Sequence, residues 1–148
     1  MSAKEKVIAL GFFDGVHLGH AALLRRTVEE AARRGVASAV FTFDRPPKEV
    51  VTGIPCPLIN SPQDRADLMR RLYGIQEVIM VPFDQEMMTT SWRDYITEIL
   101  VKRHHAIHLV AGHDHHFGHK NQGSPELLMQ TCAELGLGCD IIPKVELG

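Results

Sequence analysis

The chain has 148 residues, 45% of them hydrophobic, and its 16 basic and 18 acidic residues leave a net charge of −2. That length suits one domain that buries roughly 68–70% of its unfolded surface without disulfide staples, and the near-neutral charge gives no global electrostatic case for nucleic acid or a membrane as partner. The cysteines Cys56, Cys132 and Cys139 form no C-x-x-C pair, and polar Ser2 to Lys6 precede a short apolar run. These features point to a reducing, cytoplasmic setting with neither a signal peptide nor a membrane span of ~18 apolar residues.

In chain order, the first predicted element is a strand, Val7 to Leu10. A helix over residues 18–34 follows, with Leu24, Val28 and Ala32 on one face and Gly35 as its stop. The second strand is Ala37 to Phe43, followed by a long Pro-rich loop from Arg45 to Asn60. Ser61-Pro62-Gln63-Asp64 opens the second helix with a cap, a first-turn proline and an acid at the dipole, and Gly74 ends it. Val78 to Val81 is the third strand. Ser91-Trp92-Arg93-Asp94 then opens a helix whose Trp92, Tyr95, Ile96, Ile99 and Leu100 have core-facing spacing. The fourth strand, Ala106 to Ala111, leads through a His-rich loop to a helix opened by Ser124-Pro125 and closed by Gly136. Its stripe is Leu127, Leu128, Thr131, Cys132 and Leu135. Cys139 to Ile142 is the last strand. The alternation predicts an α/β fold: a Rossmann-like, doubly wound, parallel five-stranded sheet with right-handed crossovers. Ligands of such sheets sit beyond the carboxyl ends of the strands, so the loops after Leu10, Phe43, Val81 and Ala111 are the ones to inspect.

The first of these loops reads Gly11-Phe12-Phe13-Asp14-Gly15-Val16-His17-Leu18-Gly19-His20. Three glycines let backbone amides approach a ligand, and a helix start offers unpaired N–H groups and a positive dipole end to an anion. His17 and His20, spaced i, i+3 at that start, suit phosphate oxygens. In isolation the same two histidines would read as solvated residues of a first helical turn. The run is neither G-x-G-x-x-G nor a Walker loop, and Gly118 to Ser124 lacks the lysine a Walker loop needs before its serine.

His17-Leu18-Gly19-His20 matches the HxGH signature of the nucleotidyltransferase superfamily. The longer string Phe13 to His20 resembles the FMN adenylyltransferase domain of bacterial bifunctional FAD synthetases, the riboflavin kinase/FAD synthetase family. Phe41-Thr42-Phe43-Asp44-Arg45-Pro46-Pro47 is similar to that family's T-F-D-P-H-P segment, with Arg45 and Pro46 where Pro and His are usual. Leu58-Ile59-Asn60-Ser61 resembles the segment that follows. Gly112, Asp114, Phe117, Gly118 and Gly123 match its G-x-D-x-x-F-G-x-x-x-x-G segment. The resemblance covers nearly the whole chain and implies an HxGH-type fold over residues 1–148 that transfers AMP from ATP to FMN, giving FAD and pyrophosphate. It implies His17 and His20 as catalytic donors to the phosphates, with the amides of Gly11, Phe12 and Phe13 beside them. Asp14, Gly19, Phe43 and Asp44 join the binding set, the flavin would use a pocket formed partly by the Pro-rich loop after Phe43, and Gly112 and Asp114 lie near the adenosine. Mg²⁺ would accompany the ATP, and no metal site belongs to the protein itself.

The family's Ser-Ser-Thr-x-x-Arg motif would fall just beyond Gly148, and no riboflavin-kinase domain follows within these residues. A chain of residues 1–148 alone is therefore expected to fold but to transfer adenylyl groups poorly. Two alternatives stay open. One is another HxGH nucleotidyltransferase using CTP or a pantetheine phosphate; the other is a nucleotide-binding module without turnover. A metal site built from His113, Asp114, His115, His116 and His119 is a further rival, although adjacent residues of one loop rarely converge on an ion. His104, His105 and His108 read as surface or packing residues, with His104 and His105 complementing the dipole at the helix end. Oligomeric state has no signature in the sequence.

Overall fold

Five short runs rich in β-branched and aliphatic residues pair side by side in the computed structural model, which describes residues 5–13, 18–55 and 61–143. They are β1 (Lys6–Leu10), β2 (Ala37–Phe43), β3 (Glu77–Val81), β4 (Ala106–Gly112) and β5 (Gly138–Ile142). The sheet order is β3-β2-β1-β4-β5, and every neighbouring pair is parallel. The expected architecture is thus the observed one. The central β1 is buried along its whole length, as a strand covered on both faces must be.

Alternate side chains of the strands feed two cores. Val7, Ala9, Val40 and Val110 pack beneath α1 (Leu18–Arg34) and α3 (Pro62–Tyr73), together with Leu23, Leu24 and Met69. Ile8, Leu10, Phe41, Leu109 and Ala111 pack on the opposite face. That face is covered by α6 (Pro125–Leu135) and by a π-helix, Tyr95–Arg103, that continues from α5 (Trp92–Asp94). Tyr95, Ile96, Ile99 and Leu100 are the buried residues of that π-helix, as their spacing requires. The wider turn is closed by the His104 N–H donating to the Ile99 carbonyl at 3.1 Å. The expected caps form. Ser61, Ser91 and Ser124 accept from the N–H groups of Asp64, Asp94 and Leu127, and Gly74 and Gly136 end their helices in the left-handed region.

Three details differ from the sequence reading. The Pro-rich loop holds a short helix, α2 (Pro47–Thr52), and another, α4 (Gln85–Thr89), precedes α5. The buried face of α1 is Ala21, Leu23, Leu24, Thr27, Glu30 and Ala31, while Ala32 faces solvent. Thr27 and Glu30 occupy this face because each is satisfied there. Thr27 Oγ1 donates to the Leu23 carbonyl at 2.8 Å, and Glu30 receives Arg26, Arg33 and Arg34. On α6 the stripe is narrower than expected: Leu128, Thr131 and Cys132 are buried, but Leu135 is exposed.

Strand order runs outward from β1 through β2 to β3 on one side and through β4 to β5 on the other. The switch point therefore lies between the carboxyl ends of β1 and β4, where the chain's Gly-rich turn and His-rich loop emerge.

Candidate active site

The turn after β1 is shaped by Phe13. It is buried yet adopts φ 61°, a left-handed conformation that costs a residue with a side chain roughly 1–2 kcal/mol. Its ring lies against Gly11, where an added Cβ would come within 2.7 Å of Phe13 Cζ, so this position must be glycine. The same ring meets His20 edge to face, with centroids 5.0 Å apart. His20 thus stands half-exposed on the first turn of α1 over a buried aromatic support. Gly19 lies on that turn too. Asp14 and His17 lie outside the described residues.

The ends of β1 and β2 are joined by polar contacts that the sequence reading did not anticipate. Thr42 Oγ1 donates to the Phe12 carbonyl at 3.0 Å. Arg65, in the first turn of α3, is fully buried. Its guanidinium donates to the Phe12 carbonyl at 2.6 Å and to the Phe43 carbonyl at 2.8 Å, and lies 4.1 Å above the centre of the Phe12 ring. Nothing in the sequence distinguishes Arg65 from the exposed arginines of the same helix, because charge alone reads as solvated. Asp44, half-exposed, is engaged locally: its N–H donates to the Val81 carbonyl at 3.0 Å and its carboxylate accepts from the Phe83 N–H at 3.4 Å.

Beside the turn is a cavity of about 180 Å³ whose wall includes Phe12, Phe41, Phe43, Phe83, Tyr95 and Phe117. The rings brace one another: Phe41 contacts both Phe43 and Tyr95, Phe43 contacts Phe83, and Tyr95 contacts Phe117, all with centroids within 5.8 Å. Burial pushes the Tyr95 phenol well above its ordinary range, so it stays protonated. An apolar, aromatic slot with few polar groups at its edge suits a flat heteroaromatic ring.

The loop after β4 completes this wall. The His115 N–H donates to the Gly112 carbonyl at 3.1 Å, turning the chain and leaving Asp114 exposed, with its carboxylate over Gly112. Phe117 and Gly123 form an antiparallel bridge, with the Gly123 N–H donating to the Phe117 carbonyl at 2.8 Å. Both glycines of this loop are sterically required. A Cβ on Gly118, at φ 78°, would meet Trp92 Cα at 2.5 Å, and one on Gly123 would meet the Phe117 ring at 2.5 Å. Gly112 abuts α1, since a Cβ there would lie 4.0 Å from Leu23. His115 stacks on Phe117 with rings 17° from parallel, and burial lowers its pKa to about 4, so it is neutral near pH 7.

The histidines of this loop do not gather. His113 and His116 are exposed, and His116 Nδ1 lies 2.9 Å from the Asp114 carbonyl oxygen. The cluster of metal-ligating types found among the described residues is elsewhere, on the α1 face of β4 and β5: Glu30, His108 and Asp140. Three arginines occupy the Glu30 carboxylate, and Asp140 accepts from Arg26 and lies 2.8 Å from His108 Nε2. That arrangement is an ion-pair network whose carboxylates already have cationic partners. His108 is accordingly buried. His104 packs its ring against Phe41, and burial, with Arg103 nearby, lowers its pKa, which opposes a charged role at the helix end.

The structure therefore brings Gly11, Phe12 and Phe43 to one cavity, sets Phe13 against Gly11 and His20 against Phe13, and leaves Asp114 exposed and outside the cavity lining. Among the described residues no helix is long and apolar enough to cross a membrane.

The chain is similar to known proteins in both sequence and fold. The family model described as FAD synthetase matches residues 1–148. The bifunctional riboflavin kinase/FMN adenylyltransferase of Listeria monocytogenes is 37% identical over 80% of this chain and 38% of its own length. That of Pseudomonas fluorescens is 32% identical over 95% of this chain and 45% of its own length. The chain thus spans under half the length of these curated relatives. A solved structure described as a macrolide-efflux protein from Streptococcus pneumoniae superposes with a TM-score of 0.83 at 26% identity, over 99% of this chain and 48% of that one.

Proposed function

The chain belongs to the FAD synthetase family, and from that premise we propose that residues 1–148 act as a nucleotidyltransferase domain that transfers AMP from ATP to FMN, giving FAD and pyrophosphate. The observation that supports this reading most is the adjacency of two features at the carboxyl end of the sheet: a Gly-rich strand-to-helix turn suited to phosphates and an aromatic cavity sharing Gly11 and Phe12 with it. A substrate with a flat ring and a phosphate needs both.

In this reading an oxygen of the FMN phosphate attacks the α-phosphorus of ATP in line, the new P–O bond forms as the bond to the β-phosphate oxygen breaks, and pyrophosphate leaves. The protein supplies no nucleophile. It positions the two substrates and stabilises charge on the phosphate oxygens. His17 and His20 donate to the α- and β-phosphates, helped by the amides of Gly11 to Phe13 and the start of α1, with Asp14 and Gly19 in the same turn. Gly112 and Asp114 border the adenosine. The isoalloxazine occupies the aromatic cavity beside Phe43, with Asp44 holding that corner. A divalent cation, Mg²⁺, would accompany the ATP and offset the charge of its phosphates. Cys132 and Cys139, free thiols, accord with a reducing cytoplasm.

Substrate exchange tests the reading. The chain is incubated with Mg²⁺ and each pairing of ATP or CTP with FMN or phosphopantetheine, and products are separated by chromatography. Product from ATP and FMN alone is expected. Turnover of phosphopantetheine or CTP in preference would reassign the chain within the HxGH enzymes, and nucleotide binding without product from any pair would leave a binding module.

A further inference from the structure

Arg65 carries a positive charge into the interior at the helix end where the dipole is also positive. Fold stability does not call for this, since an apolar side chain of similar volume usually stabilises a buried site as well or better. What the guanidinium grips is specific. One nitrogen reaches the carbonyl of Phe12, the other the carbonyl of Phe43, and its plane backs the Phe12 ring. Phe12 and Phe43 both line the aromatic cavity, and Phe12 also begins the phosphate-binding turn.

We propose that Arg65 is a positioning residue for adenylyl transfer, fixing the peptide between Phe12 and Phe13 so that its N–H is presented to the triphosphate. In a trans peptide the C=O and N–H point in opposite directions. With the Phe12 oxygen drawn toward Arg65 and Thr42, the Phe13 N–H is turned away from the protein side of the loop. The left-handed φ of Phe13 is held by the same contact from one side and by the packing of its ring from the other. Arg65 thereby couples the phosphate turn to the flavin wall through a single side chain. The proposal rests on the reading of the site as an adenylyltransferase.

The experiment compares the parent with Arg65→Lys, which keeps the charge but loses the planar fork that spans two carbonyls. Two readouts are taken, with thermal melting as the check on folding. The first is steady-state FAD formation. The expected result is a kcat lowered by about 10-fold or more with the KM for ATP changed by less than about 3-fold, because a misdirected donor is missed mainly in the transition state. The second uses phenylalanine labelled with ¹³C at the carbonyl and ¹⁵N at the amide. Phe12-Phe13 is the sole Phe-Phe pair in the sequence, so one coupled resonance reports this peptide. It should shift when ATP is added to the parent and shift little in Arg65→Lys. A folded Arg65→Lys with kcat within about twofold of the parent would overturn the proposal. If Arg65→Lys does not fold, Thr42→Val, which removes the other donor to the Phe12 carbonyl, decides: it should lower kcat several-fold, and unchanged kcat would overturn the proposal. If the parent makes no FAD, the adenylyltransferase reading fails and the labelled peptide alone decides the role of Arg65; an ATP-insensitive resonance in the parent would then overturn it.

Discussion

His20 sits on the first turn of α1 with its imidazole edge-on to buried Phe13, half-exposed and outside both hydrophobic cores. Replacing it by alanine removes its ring contact with Phe13 and takes no volume from either core. His20→Ala is therefore expected to keep a melting temperature within a few degrees of the parent while lowering turnover by about 10²–10³, the usual cost of losing one transition-state donor. His17→Ala should do the same. Full activity in both variants, measured in a parent shown to be active, would remove the phosphate role. Asp114 is exposed just beyond Gly112 at the end of β4, so Asp114→Ala should weaken ATP binding in a calorimetric titration without altering stability. His115→Ala and His116→Ala should affect ATP less, since His115 turns inward onto Phe117 and His116 is exposed. Stoichiometric zinc in the purified protein, lost with these histidines, would favour the metal-site rival.

At the scale of elements, the loop from Phe117 to Gly123 is held by close packing as well as by its bridge. Gly118→Ala combines a positive φ with a Cβ against the Trp92 backbone, a contact that cannot be relieved by moving a side chain. It should destabilise the chain by about 1–3 kcal/mol and weaken FMN binding more than ATP binding, because Phe117 would shift in the cavity wall. Thermal melting and flavin fluorescence titration measure the two effects. The strands and capped helices were legible in the sequence because their signals are local: apolar runs at strand length, Ser-Pro starts and Gly stops. Gly118 and Gly123 were legible only through family spacing, and the structure supplies the steric reason. The short helices α2 and α4 were hidden because a turn or two of helix shows no periodicity. The π-helix kept the apolar spacing of an α-helix, so its different closure left no trace. The buried face of α1 was misjudged by one residue because Thr27 and Glu30, polar by type, are satisfied inside. Arg65 was hidden for the same reason: its partners are carbonyls contributed by distant strands, which no local pattern reveals.

Across the whole molecule, the Glu30 network ties α1 to β4 and β5 and gives stability a defined pH dependence. The arginines Arg33 and Arg34, with His108 nearby, hold the Glu30 carboxyl down at about 2, against an ordinary value of 4.5. Between those values the unfolded chain takes up a proton that the folded chain refuses, so stability present above about pH 4.5 is lost as pH falls toward 2. His115, held at about 4 by burial against an ordinary 6.5, adds a loss in the same direction between pH 6.5 and 4. Denaturation followed from pH 7 to 2 should show both windows. Glu30→Gln should flatten the lower one at a cost on the order of 2 kcal/mol near neutrality, allowing for water around the partly exposed Arg26 and Arg33. His115→Phe, which keeps the stacking on Phe117, should flatten the upper one. The central claim, that the Gly-rich turn and the aromatic cavity together join AMP to FMN, has one direct measurement. The purified chain is incubated with ATP, Mg²⁺ and FMN, and FAD and pyrophosphate are quantified over time alongside a His17→Ala/His20→Ala double variant. Equal amounts of FAD and pyrophosphate from the parent, and near-background amounts from the folded double variant, are the predicted result. A folded parent that binds ATP and FMN yet forms neither product, or a double variant as active as the parent, would contradict it.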